Sequence, residues 1–245
     1  MEIYLDLDNT LLNDDKMLSN EGFKCLTELS VKHKICILTT AALNEVSMLF
    51  SIPNLYIVST IENKCFVNGK YLYEKLETSI LDSLLDSPYI YTLYGVDLNT
   101  TYVIKYQERM KLFYPNRRIE ICSHFPKSIA SFILAVYKTG VDEILKRLNG
   151  YHVETLASDS KKTLLLVSSK PSTKEAWLLK LKKSPAIAIG DSLSDYAFIK
   201  HCEIQVAMQN ADEELKALCA YKTSKTNQED GALDFILNYL KHQQA

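Results

Sequence analysis

The sequence has little glycine and no excess of charge of either sign. Only 7 of its 245 residues are glycine, and the formal net charge is −2 at pH 7. A balance this close to neutral gives no support for bulk electrostatic binding to nucleic acid or to an anionic membrane. The expected partner is therefore a small molecule, with no nucleic acid and no membrane involved.

Long uninterrupted apolar runs are also missing from the sequence. No stretch reaches the ~18 residues that a transmembrane helix needs. The sequence opens on a strand pattern, not on the charged and apolar regions of a secretory signal, so we expect a cytoplasmic protein. Apolar residues still make up 47% of the chain, which is enough for a packed core.

Spaced pairs of cysteine or histidine are absent. The six cysteines form no C-x-x-C pair, and the five histidines form no H-E-x-x-H pair. Pairs of this kind mark many zinc sites, so the sequence does not favour zinc. Scattered cysteines in apolar runs are typical of buried free thiols in a reducing compartment.

Strand and helix patterns alternate in the first and last thirds of the chain. The apolar runs Lys34–Thr39 and Leu55–Ser59 read as buried strands, and Ser19–Lys32 reads as a helix capped by Ser19 or Asn20. The run "PAIAIGD", which ends at Asp191, resumes the pattern. Alternation of this kind predicts an α/β fold with a Rossmann-like parallel sheet.

The middle of the chain has a different order of strand and helix patterns. Runs of strand patterns with one helix between them predict an α+β lobe inserted into the α/β domain. The predicted organisation is a core of residues 1–82 and 167–245 and an inserted domain of residues 83–166.

Polar side chains stand where several predicted strands end. Ligands bind beyond the carboxyl ends of the strands in open parallel sheets, so we expect these side chains to converge. Thr40 competes with Thr39 for the same role, and Lys161, Lys170 and Lys180 compete with Lys174. The candidate residues are Asp6, Asp8, Thr39, Lys174, Asp191 and Asp195.

These residue types together favour phosphate chemistry. Four carboxylates in one crevice repel one another unless a cation lies among them, and all-oxygen ligands suit Mg²⁺. A threonine hydroxyl and a lysine ammonium would donate to phosphate oxygens. One carboxylate beside the cation can attack phosphorus to form an aspartyl-phosphate, and a second can transfer the protons.

Four segments resemble the motifs of the haloacid dehalogenase superfamily, in the order of that family. They are "YLDLDNTLL", "ICILTT", "STKEAWLLKL" and "IAIGDSLSD". The later stretch "VAMQNADEELKAL" is similar to the Cof-type branch, subfamily IIB, whose members carry a large C2-type cap between the second and third motifs. The resemblance therefore implies a Rossmann-like core with an inserted α+β cap.

The resemblance also implies residue roles. Asp6 would be the nucleophile and a metal ligand. Asp8 would be the general acid and base, with its backbone carbonyl on the metal. Asp191 and Asp195 would complete the Mg²⁺ site.

The remaining implied roles concern the phosphoryl group. Thr39 and Lys174 would hold it, and Asn210 would brace the phosphate site or Lys174. The basic segment Glu108–Arg118 reads either as a solvated loop of the lobe or as a loop that meets the distal part of a substrate. The second motif lacks the arginine that is common in this branch, so the resemblance assigns no particular substrate.

The expected function is a Mg²⁺-dependent phosphomonoester hydrolase that acts on a small phosphorylated metabolite, with a sugar phosphate as one candidate. Two alternatives remain open on the same residues. A phosphomutase or phosphotransferase would pass the phosphoryl group to a substrate hydroxyl instead of water. A ligand-binding regulatory protein would bind its ligand and convert little of it to product.

Overall fold

A computed structural model describes residues 1–97, 100–104 and 118–243 of the chain. The described residues form strands β1 (Glu2–Asp6), β2 (Lys34–Thr39), β3 (Leu55–Ser59), β4 (Lys64–Val67), β5 (Lys70–Tyr73), β6 (Leu76–Glu77), β7 (Ile90–Asp97), β8 (Thr100–Val103), β9 (Arg118–Ile121), β10 (Ser128–Ile129), β11 (Ser131–Tyr137), β12 (His152–Ser158), β13 (Lys162–Ser168), β14 (Ala186–Gly190), β15 (Ile204–Ala207) and β16 (Tyr221–Lys222). The helices are α1 (Asn20–Lys32), α2 (Ser79–Leu85), α3 (Val141–Arg147), α4 (Lys174–Leu181), α5 (Tyr196–Ile199), α6 (Glu213–Leu218) and α7 (Gly231–His242).

The larger sheet has eight strands in the order β16-β15-β14-β1-β2-β3-β4-β5. The pairs from β16 to β3 are parallel, and β4 and β5 add an antiparallel hairpin at one edge. The strand β1 lies in the middle, between β14 and β2, where the order of the strands reverses. Such a switch point opens a crevice at the carboxyl ends of the strands. The predicted α/β fold with a parallel core is confirmed.

Local sequence signals account for several elements. The bounds of β2 and β3 are those predicted from their apolar runs. Ser19 caps α1, because its side chain accepts a hydrogen bond from the backbone N–H of Gly22. Asn68 and Gly69 both have positive φ in the turn between β4 and β5, as a two-residue hairpin requires.

Some elements differ from the prediction. The sequence of residues 44–50 predicts a short helix, and the segment Leu43–Ser51 is a 3₁₀ helix that is interrupted at Val46. The β-branched side chain of Val46 disfavours a regular helix. The sequence of residues 76–85 also predicts a helix, but Leu76–Glu77 first pairs with β10 as a short strand and the helix begins at Ser79.

The second sheet belongs to the inserted lobe, defined here as the described residues between Leu76 and Ser168. Its strands follow the order β12-β13-β11-β7-β8-β9. The helices α2 and α3 cover one face, where Leu81, Leu134 and Ile144 are buried together. The other face turns toward the larger sheet. The predicted domain boundaries at 82/83 and 166/167 fall within α2 and β13, and they stay a prediction.

A buried lysine lies at the junction of the two sheets. Lys64 begins β4 and is fully buried, and burial lowers the pKa of its ammonium to about 7 despite the charge of Asp97 in the lobe. An unfolded chain holds that proton up to its ordinary pKa of 10.5. The free energy of unfolding should therefore rise with pH between these two values, because only the unfolded chain stays protonated there.

Lys64→Met removes this titration. From pH 7 to pH 9, the free energy of unfolding of the wild-type chain should rise by about 2 kcal/mol relative to that of Lys64→Met. Urea titrations of both chains at the two pH values measure the difference. Equal pH dependence in the two chains would show that Lys64 keeps its ordinary pKa in the fold.

The structure also bears on the state of the cysteines and on membrane-spanning helices. All six cysteines are free, as predicted, and four of them are buried. Among the described helices, none combines the length and the apolar character of a membrane span.

Candidate active site

The crevice at the carboxyl end of β1 collects most of the predicted site residues. Asp6 ends β1 and is only 5% exposed. The preceding residue, Leu5, pairs with Ile37 of β2 on one side and with Ile189 of β14 on the other. The ends of β2 and β14 therefore flank Asp6, as the strand-end argument predicted.

Lys174 reaches into this crevice from the first turn of α4. Its Nζ atom lies 2.5 Å from Oδ1 of Asp6 and 2.7 Å from Oδ1 of Asp195. Burial disfavours the charged ammonium, but the two carboxylates outweigh it and raise the pKa of Lys174 above its ordinary value. The competing lysines Lys170 and Lys180 instead pair with Glu74.

Asp195 is held in place by the turn that follows β14. Its Oδ2 atom accepts hydrogen bonds from the backbone N–H groups of Asp191 and Ser192, at 3.2 and 3.1 Å. Gly190 makes the close approach possible, because a Cβ at this position would lie 2.6 Å from Cβ of Asp195. In the segment "GDSLSD", the second aspartate, Asp195, therefore packs against Gly190. This contact holds the carboxylate of Asp195 in the position where Lys174 reaches it.

Three carboxylates are close enough to share one cation. One oxygen from each of Asp6, Asp191 and Asp195 lies within 4.8 Å of the other two. Burial, reinforced by the charge of Asp195, raises the pKa of Asp191 and raises that of Asp6 to about 7, although Lys174 opposes both shifts. A cation among these oxygens would remove the repulsion, and the all-oxygen donor set suits a hard divalent ion.

Asp8 lies outside this group of three. The apolar pattern of residues 2–8 predicts a strand that continues to Asp8, but β1 ends at Asp6 and the chain turns, with the backbone N–H groups of Leu11 and Leu12 donating to the carbonyl of Leu7. The turn leaves Asp8 half-exposed, with Oδ1 at 2.8 Å from Nζ of Lys16. Asp6 and Asp8 therefore have different surroundings, which the alternation of an uninterrupted strand does not predict.

Thr39 and Thr40 end β2 in different environments. Thr39 is buried, and its hydroxyl oxygen accepts a hydrogen bond from the backbone N–H of Ala41 at 2.9 Å. A hydroxyl that accepts in this way still has its own proton to donate. Thr40 is exposed and lines the cleft beside the inserted lobe. The structure thus places the two competing threonines in different parts of the crevice.

Asn210 braces the loop that carries Asp8. Its Nδ2 donates to the carbonyl of Asn9 at 2.8 Å, and its Oδ1 accepts from the backbone N–H of Asn227 at 3.1 Å. The buried Nδ2 of Asn227 in turn donates to the carbonyl of Leu12. The contact of Asn210 is with this loop and not with Lys174.

Sequence reasoning gave no role to two residues that contact the site. The hydroxyl of Thr10 donates to Oδ1 of Asp191 at 3.3 Å, and its place in the quoted motif "DLDNT" was the available signal. Asn227 joins the end of the chain to the loop after β1, and no local pattern marks that contact. Residues 108–117 of the basic segment lie outside the described residues, and Arg118 begins β9.

Comparisons with known proteins agree with this geometry. A family model described as haloacid dehalogenase-like hydrolase matches residues 3–236. The phosphatase YcsE of Bacillus subtilis, named for 5-amino-6-(5-phospho-D-ribitylamino)uracil, is 25% identical over an alignment of 257 positions that covers 97% of this chain and 95% of YcsE. These findings agree with the predicted enzyme class, a phosphatase.

Solved structures show the same fold. A haloacid dehalogenase-like hydrolase from Bacteroides thetaiotaomicron gives a TM-score of 0.69 at 21% identity and covers 97% of this chain and 98% of its own. The subclass IIB sugar phosphatase BT4131 gives a TM-score of 0.63 at 18% identity, with 97% and 98% covered. The family match spans nearly the whole chain, so this protein belongs to the haloacid dehalogenase-like hydrolases, as its four motifs predicted.

Proposed function

We propose that this protein is a Mg²⁺-dependent phosphomonoester hydrolase that works through an aspartyl-phosphate on Asp6. The observation that carries the proposal is the convergence of the carboxylates of Asp6, Asp191 and Asp195 with the ammonium of Lys174 at one crevice. The substrate is a small phosphorylated metabolite. The B. subtilis relative, whose name specifies a phosphate on a ribityl chain, supports a substrate of that size.

The carboxylate of Asp6 is the proposed nucleophile. It attacks phosphorus while the bond between phosphorus and the leaving oxygen breaks, and the phosphoryl group passes to Asp6. Lys174 and the hydroxyl of Thr39 donate to the phosphoryl oxygens, where negative charge must be held. Because Asp195 fixes Lys174, the ammonium is already in position before the substrate arrives.

Asp8 is proposed to move the protons. It donates one to the leaving oxygen and later accepts one from the water that attacks the aspartyl-phosphate, which releases phosphate and regenerates Asp6. The turn after β1 gives Asp8 access to solvent that Asp6 lacks. A group that must exchange protons in each cycle benefits from that access.

Asp6, Asp191, Asp195 and the backbone carbonyl of Asp8 are the proposed Mg²⁺ ligands. When bound, the ion would neutralise the crowded carboxylates and the charge of the phosphoryl group. Asn210 would preserve the site indirectly, by holding the loop that carries Asp8. The inserted lobe is proposed to act as the cap that covers the crevice during turnover.

Metal removal tests the proposed function. Hydrolysis of an aryl phosphate should stop in EDTA and return with added Mg²⁺, and it should not return with Ca²⁺, which takes more oxygen ligands at longer distances than Mg²⁺ does. Release of free phosphate measures the activity. Undiminished activity in EDTA would contradict the proposal.

The alternatives predict different products. A phosphotransferase would consume the ester in the presence of an acceptor alcohol, form a new phosphate ester and release little phosphate. A regulatory protein would bind phosphate esters without consuming them. The half-exposed Asp8, which can activate water, favours the hydrolase.

A further inference from the structure

A cavity of about 380 Å³ lies where the larger sheet connects to the inserted lobe. Both connections border it, because Glu74 lies between β5 and β6, and Lys170 and Pro171 lie between β13 and α4. None of the described residues around it belongs to the lobe or to the candidate active site. The linker cavity, as it is called here, is lined by Asn63, Glu74, Lys170, Pro171, Ala176, Trp177 and Lys180.

Two lysines and one glutamate give the wall of the linker cavity a net positive charge. Nζ of Lys180 lies 3.0 Å from Oε1 of Glu74, and Nζ of Lys170 lies 3.2 Å from Oε2. Two positive charges and one negative charge leave +1. The side chains of Lys180 and Lys170 are 47% and 71% exposed, and ion pairs with such exposed partners are weak. A second anion can therefore compete with Glu74 for both lysines.

Two residues of the linker cavity carry buried N–H groups that lack an acceptor. Asn63 is 4% exposed and Trp177 is 3% exposed. Among the residues that the structure describes, Nδ2 of Asn63 and Nε1 of Trp177 have no hydrogen-bond partner. A buried donor without an acceptor costs free energy. Because both residues line the linker cavity, an acceptor that binds there would lie beside them.

The rest of the wall is apolar and has room for a ring. It consists of Pro171, Ala176 and the indole of Trp177. The ammonium of Lys180 lies 4.6 Å from the centre of the indole, within the range of a cation–π contact. An apolar cavity of about 150 Å³ already holds benzene, and the linker cavity is more than twice as large. A ligand can therefore bury an aromatic ring there beside its charged group.

We propose that the linker cavity binds a small monocarboxylate with an aromatic body. The carboxylate would replace Glu74 as the partner of Lys180 and Lys170, and the N–H groups of Asn63 and Trp177 would be further donors. One negative charge balances the net charge of the wall, whereas a phosphate dianion would leave an excess of negative charge beside Glu74. The inference goes beyond the proposed function, because it needs neither Mg²⁺ nor turnover.

Trp177 is the only tryptophan in the sequence, so tryptophan fluorescence reports on this cavity. The probe is benzoate, titrated into the full chain in EDTA, and calorimetry provides a second measure of Kd. We expect saturable binding with Kd below about 10 mM, as for other ligands of this size. Benzamide, which keeps the ring without the charge, should bind about tenfold more weakly. No saturable binding of benzoate by either method, or equal affinity for benzamide, would overturn the inference.

Variants then locate the carboxylate. Lys180→Met should weaken benzoate binding about fivefold, because one of its two ammonium partners is lost. Glu74→Gln should strengthen it about threefold, because the competing carboxylate is gone. The matched control is Lys200→Met, since Lys200 makes a similarly exposed pair with Glu175, also at 3.0 Å, and does not line the cavity. The control should keep the wild-type Kd. Weaker binding in Glu74→Gln, or equal losses in Lys180→Met and Lys200→Met, would overturn the inference.

Inorganic phosphate tests the class of anion. A tenfold excess over benzoate should leave the benzoate titration unchanged at pH 8, where phosphate is mostly a dianion. Competition by phosphate at equal concentration would overturn the assignment to a carboxylate. These titrations do not measure hydrolysis, so their outcome is independent of whether the proposed hydrolase activity is found.

Discussion

Asp6→Asn is expected to lower kcat/KM for phosphate release by at least about 10⁴-fold, as loss of the nucleophile does in other enzymes with covalent intermediates. The amide keeps the shape of the carboxylate but cannot attack phosphorus. Asp6 is the last residue of β1, and the ammonium of Lys174 lies 2.5 Å from its Oδ1. Initial rates of phosphate release from an aryl phosphate measure the effect.

The fold of Asp6→Asn should survive, because the substitution removes one of three crowded carboxylates without changing their packing. Circular dichroism and the urea midpoint check this. Asp15→Asn is the matched control, since Asp15 lies exposed in the loop that follows β1. The control should keep wild-type activity. Residual activity within tenfold of wild type in a folded Asp6→Asn would exclude Asp6 as the nucleophile.

Lys174→Met is expected to affect both activity and stability. Loss of a preorganised charge that faces the phosphoryl oxygens should lower kcat by about 10²–10³-fold. Without metal, the variant should also be about 3 kcal/mol less stable at pH 8, because the buried carboxylates of Asp6 and Asp195 lose their counter-charge. Urea titrations and initial rates measure the two effects.

The loss of stability should shrink at lower pH. Burial already raises the pKa of Asp6 to about 7, and loss of the ammonium would raise it further. A carboxyl with a raised pKa in the fold binds a proton more tightly than in the unfolded chain, so the variant regains stability as the pH falls below that pKa. Lys180→Met on the same helix is the control, since Lys180 is exposed and should cost less than about 1 kcal/mol. Equal losses in both variants would contradict the buried role of Lys174.

Sequence patterns predicted the frame of the site because its residues stand at the ends of strongly patterned strands. Asp6 ends β1 and Asp191 directly follows β14, and these two apolar strands pair with each other in parallel, so a rule about parallel sheets was enough to bring the two carboxylates together. Thr173 and Ser172 are both candidate caps in the sequence, and in the structure the side chain of Thr173 accepts from the backbone N–H of Ala176, so that Lys174 is the first residue of α4. These signals are local, and local signals can be read from one sequence.

The contacts that sequence reasoning missed depend on distant parts of the chain. β1 stops at Asp6 because the following residues fold back onto the carbonyl of Leu7, and Asn210 holds that loop from another strand end. Short edge strands such as β9 and β16 also lack a pattern of their own, since their partners supply the hydrogen bonds. The apolar wall of the cleft beside the inserted lobe combines residues from four strands of the lobe with Ile61, and no stretch of sequence shows that face as a unit.

Chemical trapping can identify the residue that carries the proposed aspartyl-phosphate. The Asp8→Asn variant, mixed with an aryl phosphate and Mg²⁺, should accumulate the phosphorylated enzyme, because such a leaving group needs little protonation while water attack still needs a base. Borohydride reduces an aspartyl-phosphate to homoserine, and trypsin then releases residues 1–16 as one peptide for mass spectrometry. Homoserine is expected at position 6 only when substrate and Mg²⁺ are both present. Phosphate release with position 6 still aspartate after trapping, or homoserine at another position, would contradict it.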